Sequence, residues 1–282
     1  MAIKDWFQRI LHPASTPRRR HGANDLATAW LEAMEAGLLT PPRDVHDATA
    51  WDAYWTNHLQ VGLMEQGFSD MMSSDEQLLG LLTRRGATTV LCAGNGLSSE
   101  ALSLAVHGFQ VTALDLSPVA GARMAKSLCD PDHPMQQIPG FRITDDGVVF
   151  DGSGPIPSQL CPKIHRTDDT AAQRGGSLRF VSGDLTVSDV YPGPFDVVIE
   201  RRTVQLFPDG EQESALDRLA GRLAARGTLV THLHDGCGGP DRHRPHHARE
   251  WSRSRGFVVD YEVNEEMQRS AQRLVCLRLS TG

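Results

Sequence analysis

One stretch limits the folds open to this chain more than any other. Val90-Leu91-Cys92-Ala93 is a short apolar run that stops at Gly94-Asn95-Gly96, and Ser98 and Ser99 then give a helix-start signal. A second apolar run, Val111-Thr112-Ala113-Leu114, ends in Asp115, 19 residues after Gly96. Strand, glycine turn, helix and strand in that order open a doubly wound α/β sheet. The glycines allow a tight turn and let a ligand touch the backbone. The acid can accept hydrogen bonds from the two hydroxyls of a ribose, at the spacing of about 20 residues expected of a nucleoside-binding unit.

The same rhythm continues on both sides of this unit. A leucine-rich helix is expected over Asp75–Arg85, and another from Pro118 to Leu128, where a proline at the first helical position is favourable. Leu178–Val181 reads as a strand running into Gly183-Asp184, and Phe195–Ile199 is continuously apolar, as in a buried parallel strand. A helix over Glu213–Ala225, a strand over Thr228–Leu233, a helix near His247–Arg255 and strands at Phe257–Val263 and Leu274–Leu279 follow. No crossover helix separates the last two strands, so they pair antiparallel. The expected fold is a doubly wound, Rossmann-like, mostly parallel seven-stranded sheet with an antiparallel last strand.

Two segments stand outside this pattern. Residues 130–176 are an insertion, within which Asp146-Gly147 signals a hairpin over Phe141–Phe150. Residues 1–74 form an N-terminal helical extension or cap, with a helix at Asp25–Ala36, before the main domain over 75–282. Trp51 and Trp55, four residues apart, share a helix face in a stretch that also holds Tyr54, Phe68, Met71 and Met72. That face either packs on the core or caps a ligand pocket, with Trp55 the pocket candidate.

Composition narrows the partners. The 282 residues carry a formal net charge of −7, which disfavours nucleic acid, and Arg18-Arg19-Arg20 reads as a solvated tail. Five cysteines with no Cys-x-x-Cys fit reduced thiols and a cytoplasmic setting. No apolar run reaches the roughly 20 residues of a membrane span. The expected partner is a small molecule, with neither nucleic acid nor membrane; the sequence does not fix the oligomeric state. His232 and His234 share a face of the fifth strand, near Asp235, Cys237, His243, His246 and His247. Their spacings match no standard zinc pattern, so no metal is expected, and a polar lid is the simpler reading. His234 is a candidate general base.

Two ligands suit the opening unit, a dinucleotide and S-adenosylmethionine. A pyrophosphate would meet Glu100 in the first helical turn, and Ser99 stands where a dinucleotide fingerprint has its third glycine. S-adenosylmethionine carries no phosphate and its sulfonium is cationic. At these residues the chain resembles the class I S-adenosylmethionine-dependent methyltransferases. Val90–Gly96 looks like their first motif, Asp115 like their ribose-binding acid, Gly183-Asp184-Leu185 like their adenine-contacting segment, and Phe195–Ile199 like their fourth strand.

A looser resemblance links Ile199-Glu200-Arg201-Arg202-Thr203 and the preceding tryptophans to the thiopurine methyltransferase-like group. The resemblance implies S-adenosyl-L-methionine as cofactor and a small thiol or other heteroatom nucleophile as acceptor. It implies cofactor contacts from Trp55, Ala93, Gly94, Asn95, Gly96, Asp115, Leu116, Gly183, Asp184, Leu185 and Glu200, and catalytic roles for Arg201, Glu200 and His234. The family carries an acid where Cys92 stands, which leaves backbone carbonyls or Glu200 to accept the cofactor's amino group. The alternative from another class is a non-catalytic nucleoside-binding or interaction module on the same fold, favoured if Trp55 or the insertion plugs the site.

Overall fold

The structure, a computed structural model, describes residues 32, 36–37, 40–60, 76–98, 100–131, 136, 138–144, 147–152, 175–201, 203–234, 246–267 and 270–279. The helix expected at Asp25–Ala36, the Arg18-Arg19-Arg20 tail, Phe68, Met71, Met72, Ser99, Asp146, Arg202 and the loop from Asp235 lie wholly or largely outside these residues. So does most of the insertion beyond its hairpin.

Nine strands form one sheet among the described residues. They are β1 (Thr89–Ala93), β2 (Gln110–Asp115), β3 (Phe141–Thr144), β4 (Gly147–Phe150), β5 (Gly176–Ser182), β6 (Phe195–Glu200), β7 (Leu223–His234), β8 (Phe257–Met267) and β9 (Ser270–Leu279), in the spatial order β3-β4-β5-β2-β1-β6-β7-β9-β8. The run β5-β2-β1-β6-β7 is parallel throughout. β9 is antiparallel to both β7 and β8. The seven expected strands are therefore present, the last one antiparallel. The insertion contributes two more, because β4 pairs antiparallel with β5 and continues the sheet instead of standing off as a separate hairpin.

Alternation along β1 explains the layers. Val90 and Cys92 point into one apolar cluster, with Leu78 and Leu82 of α2 (Glu76–Arg84), Leu104 of α3 (Glu100–Val106) and Leu128 of α4 (Pro118–Leu128). Leu91 and Ala93 point into the other, with Leu216 and Leu219 of α5 (Asp209–Ala220) and Trp251 of α6 (His246–Ser254). A strand buried on both faces reads as a continuous apolar run. Fully burying side chains such as Leu91 and Leu114 contributes roughly 1.5–3 kcal/mol each.

Polar groups set the register and the helix starts. One oxygen of Asp196 accepts from the N–H and hydroxyl of both Thr88 and Thr89, tying the start of β6 to the start of β1. Asp47 caps α1 (Ala48–Gln60) by accepting from the Ala50 N–H at 3.0 Å, and the Ser117 hydroxyl caps α4 at the Val119 N–H. α5 ends five residues earlier than the apolar spacing predicts. Gly221 closes it, and Leu223 pairs with Phe195 as the first residue of a longer β7.

Candidate active site

Open α/β sheets bind ligands beyond the carboxyl ends of their strands. A cavity of about 450 Å³ opens there, where β1, β2, β5 and β6 end, within the roughly 300–1,000 Å³ typical of small-molecule sites.

The glycine turn forms its floor. Gly94 and Gly96 have φ of +63° and +52°, a region open to glycine and strained for other residues. Space is also short there. A Cβ on Gly94 would come within 2.0 Å of the Thr203 Oγ1, and one on Gly96 within 2.8 Å of the Trp55 indole. The groups that crowd these bare positions are thus the chain's own Thr203 and Trp55. The Thr203 hydroxyl faces the carbonyls of Ala93 and Gly94, at 3.2 and 3.4 Å.

Asp115 closes one side. Its carboxylate accepts from the Gly96 N–H at 2.8 Å and the Ser117 N–H at 2.9 Å, one on each oxygen. Burial pushes this carboxyl up to about 6, against the pull of those two N–H groups and of the nearby Trp55 indole N–H. Asp52 of α1 approaches from above and accepts from the Ser117 hydroxyl at 2.5 Å.

Asp184 stands at the far side. One oxygen accepts from the Thr186 N–H and hydroxyl, both at 2.7 Å, and the other lies 2.7 Å from His46 Nδ1. Burial alone would raise this carboxyl; the Thr186 bonds and His46 outweigh it and hold it below the ordinary aspartate range. His46 also reaches Glu211 at 3.2 Å and packs edge-on against Phe207. Asp184 raises the imidazole's affinity for a proton, burial opposes it, and Glu211 adds to the rise.

The roof is α1 and the turn before it. Trp51 and Trp55 stack with centroids 6.1 Å apart, Tyr54 meets Trp55 edge-on at 4.8 Å, and the Trp51 indole N–H donates to the Val45 carbonyl. Trp51, Tyr54 and Trp55 all line the cavity and Trp51 is buried, so this helix face caps a pocket.

No family model matches the chain, and no curated protein matches it. Solved structures do. The 1,6-didemethyltoxoflavin-N1-methyltransferase of Burkholderia thailandensis, crystallised with 1,6-didemethyltoxoflavin and S-adenosylhomocysteine, superposes with a TM-score of 0.50 at 13% identity, covering 95% of this chain and 98% of that one. Magnesium protoporphyrin IX methyltransferase of Synechocystis PCC 6803, solved with S-adenosylmethionine, gives a TM-score of 0.49 at 16% identity over 92% and 100% of the two chains. A TehB-like methyltransferase from Corynebacterium glutamicum gives 0.46 at 18% identity over 83% and 98%. The first superposition, added to the strand order, decides the architecture. This is the class I methyltransferase fold.

Within the methyltransferase fold, every cofactor-contact candidate except Glu200 lines the cavity, from Trp55 through Gly94 and Gly96 to Asp115 and Gly183-Asp184-Leu185. Arg201 lines it too. Glu200 is 2% exposed and is not among the residues that line the cavity. Its carboxylate accepts from the N–H groups of Thr203 and Val204 at 3.2 and 3.1 Å and from the Thr231 hydroxyl, so it shapes the loop after β6. Arg201 Nη1 donates to Glu100 Oε2 at 3.0 Å, so Glu100 is neutralised in place and is no lone acid at the helix start. The backbone of His234 pairs with Gln272 in β9, and its side chain lies outside those described.

Sequence reasoning missed His46 and Asp52 and gave Thr203 no role of its own; Gln205 lines the cavity as well. Among the described residues no group of three or more His, Cys, Asp or Glu is placed to hold a metal ion, and no helix is long and apolar enough to cross a membrane.

Proposed function

We propose that this chain is an S-adenosylmethionine-dependent methyltransferase acting on a small molecule, with a thiol or other heteroatom nucleophile as acceptor. The charge balance of the cavity carries the reading. Among its described lining residues Glu100, Asp115 and Asp184 outnumber the single guanidinium of Arg201. Such a cavity favours a cationic ligand and opposes a pyrophosphate. An adenosyl group also suits the walls: each Asp115 oxygen retains a lone pair for a ribose hydroxyl, and Leu116, Leu185 and Phe207 offer apolar surface to a base.

The cofactor would supply an electrophilic methyl group on sulfur. The chain's own part is alignment, which can be worth roughly 7–11 kcal/mol when two reactants are held in line. Asp115 and the Gly94–Gly96 backbone fix the nucleoside end, and the Trp51-Tyr54-Trp55 roof excludes water and gives an aromatic wall to a flat or apolar acceptor. A thiolate needs little further help; for a protonated nucleophile His234 is the base candidate. The non-catalytic alternative is favoured if Trp55 or the insertion plugs the site; among the described residues Trp55 sits against Gly96 with the cavity open beside it.

Isothermal titration with S-adenosylhomocysteine tests the reading. A saturable heat with one site per chain is expected. No heat from a protein that still unfolds cooperatively overturns it.

A further inference from the structure

A second cavity, of about 170 Å³, lies between α4, the sheet and the insertion hairpin. It sits on the other face of β2 from the first: Ala113 lines the second cavity, whereas its neighbour Leu114 lines the first. Among the described residues the two share only Asn95, Gly96 and Asp115.

Strand register builds its floor. Ala113 pairs with Phe180, Val148 with Leu178 and Ile143 with Val148, so alternation sets Ala113, Phe180, Val148 and Ile143 on one face of the sheet. The hairpin β3-β4 thus supplies a wall that a sheet ending at β5 would lack. α4 covers the floor through Gly121, Ala125 and Leu128.

Small residues on α4 keep the space open. Glycine inside a helix costs stability relative to alanine. Packing does not demand it at Gly121, where an added Cβ would come no closer than 3.4 Å to Phe180, an ordinary contact. Ala125 and Val148 are buried, and Ile143, 41% exposed, marks where the cavity meets solvent.

The wall chemistry selects the occupant. The side-chain donors are already engaged: the Asn95 amide gives to the carbonyls of Gly96 and Ser98, the Ser117 hydroxyl to Asp52, and the Ser182 hydroxyl to the Leu116 carbonyl. Asp115, at the inner end, opposes an anion. The remaining surface is apolar, and an apolar cavity of roughly 150 Å³ is large enough to hold benzene.

We infer that this cavity is a second ligand site, which takes a single uncharged aromatic ring. Phe180 gives the ring an aromatic partner, and Gly121 with Ala125 gives it room. The site belongs to the insertion, because Ile143, Gly147 and Val148 complete it.

Toluene is the probe, with benzoate as its charged counterpart. Calorimetric titration of the full chain with toluene is expected to give a saturable heat, and with benzoate none. Ala125→Leu fills the space and is expected to abolish the toluene heat. Gly121→Ala adds one methyl group to the wall and is expected to weaken toluene about 10-fold, as overpacking does, while favouring the helix. Neither residue lines the first cavity, so toluene held there would bind both variants as it binds the wild type. No saturable heat from the wild type, equal toluene affinity in the wild type and Gly121→Ala, or benzoate binding as tightly as toluene overturns the site. Gly121→Ala decides alone if Ala125→Leu fails to fold. None of these outcomes depends on S-adenosylmethionine, so the second site stands or falls apart from the proposed activity.

Discussion

His46 Nδ1 lies 2.7 Å from Oδ2 of Asp184, across 138 positions of sequence. This contact latches the turn before α1 to the loop after β5, at the edge of the cavity. Both partners keep some solvent access, so the latch is worth at most about 1 kcal/mol.

Its pH dependence has a definite sign. The imidazole is held above its ordinary 6.5, so its contribution is complete below 6.5 and fades as pH rises through the raised value. The Asp184 carboxyl is held below 3.8, so its contribution is complete above 3.8 and fades as pH falls through the lowered value. The latch is strongest between those limits. Urea unfolding of wild type and His46→Ala should show a larger gap at pH 6 than at pH 8. A gap that widens with pH is incompatible with the pairing.

Asp115 carries a cost that its function would explain. Its carboxyl is raised to about 6 by burial, so ionisation above that pH works against folding. Replacing it with Asn should favour the variant's relative stability by on the order of 2–3 kcal/mol between pH 3.5 and pH 7, read from urea midpoints. The same variant should lose affinity for S-adenosylhomocysteine. A variant with unchanged affinity contradicts the ribose assignment.

Gly96 and Trp55 should behave as one unit. Gly96→Ala places a Cβ within 2.8 Å of the indole at a φ of +52°, and is expected to cost about 2 kcal/mol or more. Trp55→Ala removes the obstacle. The double variant should therefore lose less than the sum of the two singles, by about 0.5–3 kcal/mol in a double-mutant cycle. Strict additivity would mean that the indole does not rest on the glycine.

Glu200→Gln should act through the loop and not through contact with a ligand. It weakens the charge-assisted bonds to the Thr203 and Val204 N–H groups, at an expected cost of about 1–3 kcal/mol. Thermal unfolding should fall, and the pH dependence of any activity should stay as in the wild type. A shifted pH profile with unchanged stability would return Glu200 to the reacting centre.

Much of the sheet was legible because its strands are short apolar runs closed by glycine or acid, as at Val90–Gly96 and Val111–Asp115. Glu200 was expected at the cofactor, and its bonds to Thr203, Val204 and Thr231 could not be read from the sequence. Thr203, His46 and Asp52 were not legible. Each acts through a partner 65 or more positions away, and neither periodicity nor turn chemistry records such pairs. The hairpin was recognised from Asp146-Gly147, but nothing local says that β4 would pair with β5.

That pairing decides which rim of the sheet is exposed to other chains. Without it β5, seven residues long, would present its unpaired backbone groups to solvent. The rim passes instead to β3, four residues with the exposed Arg142 among them, a poor template for a strand from another molecule. The opposite rim is β8, eleven residues long, with Val258 and Val259 exposed at its start. Among the described residues the longer open edge is therefore that of β8, on the rim opposite the hairpin.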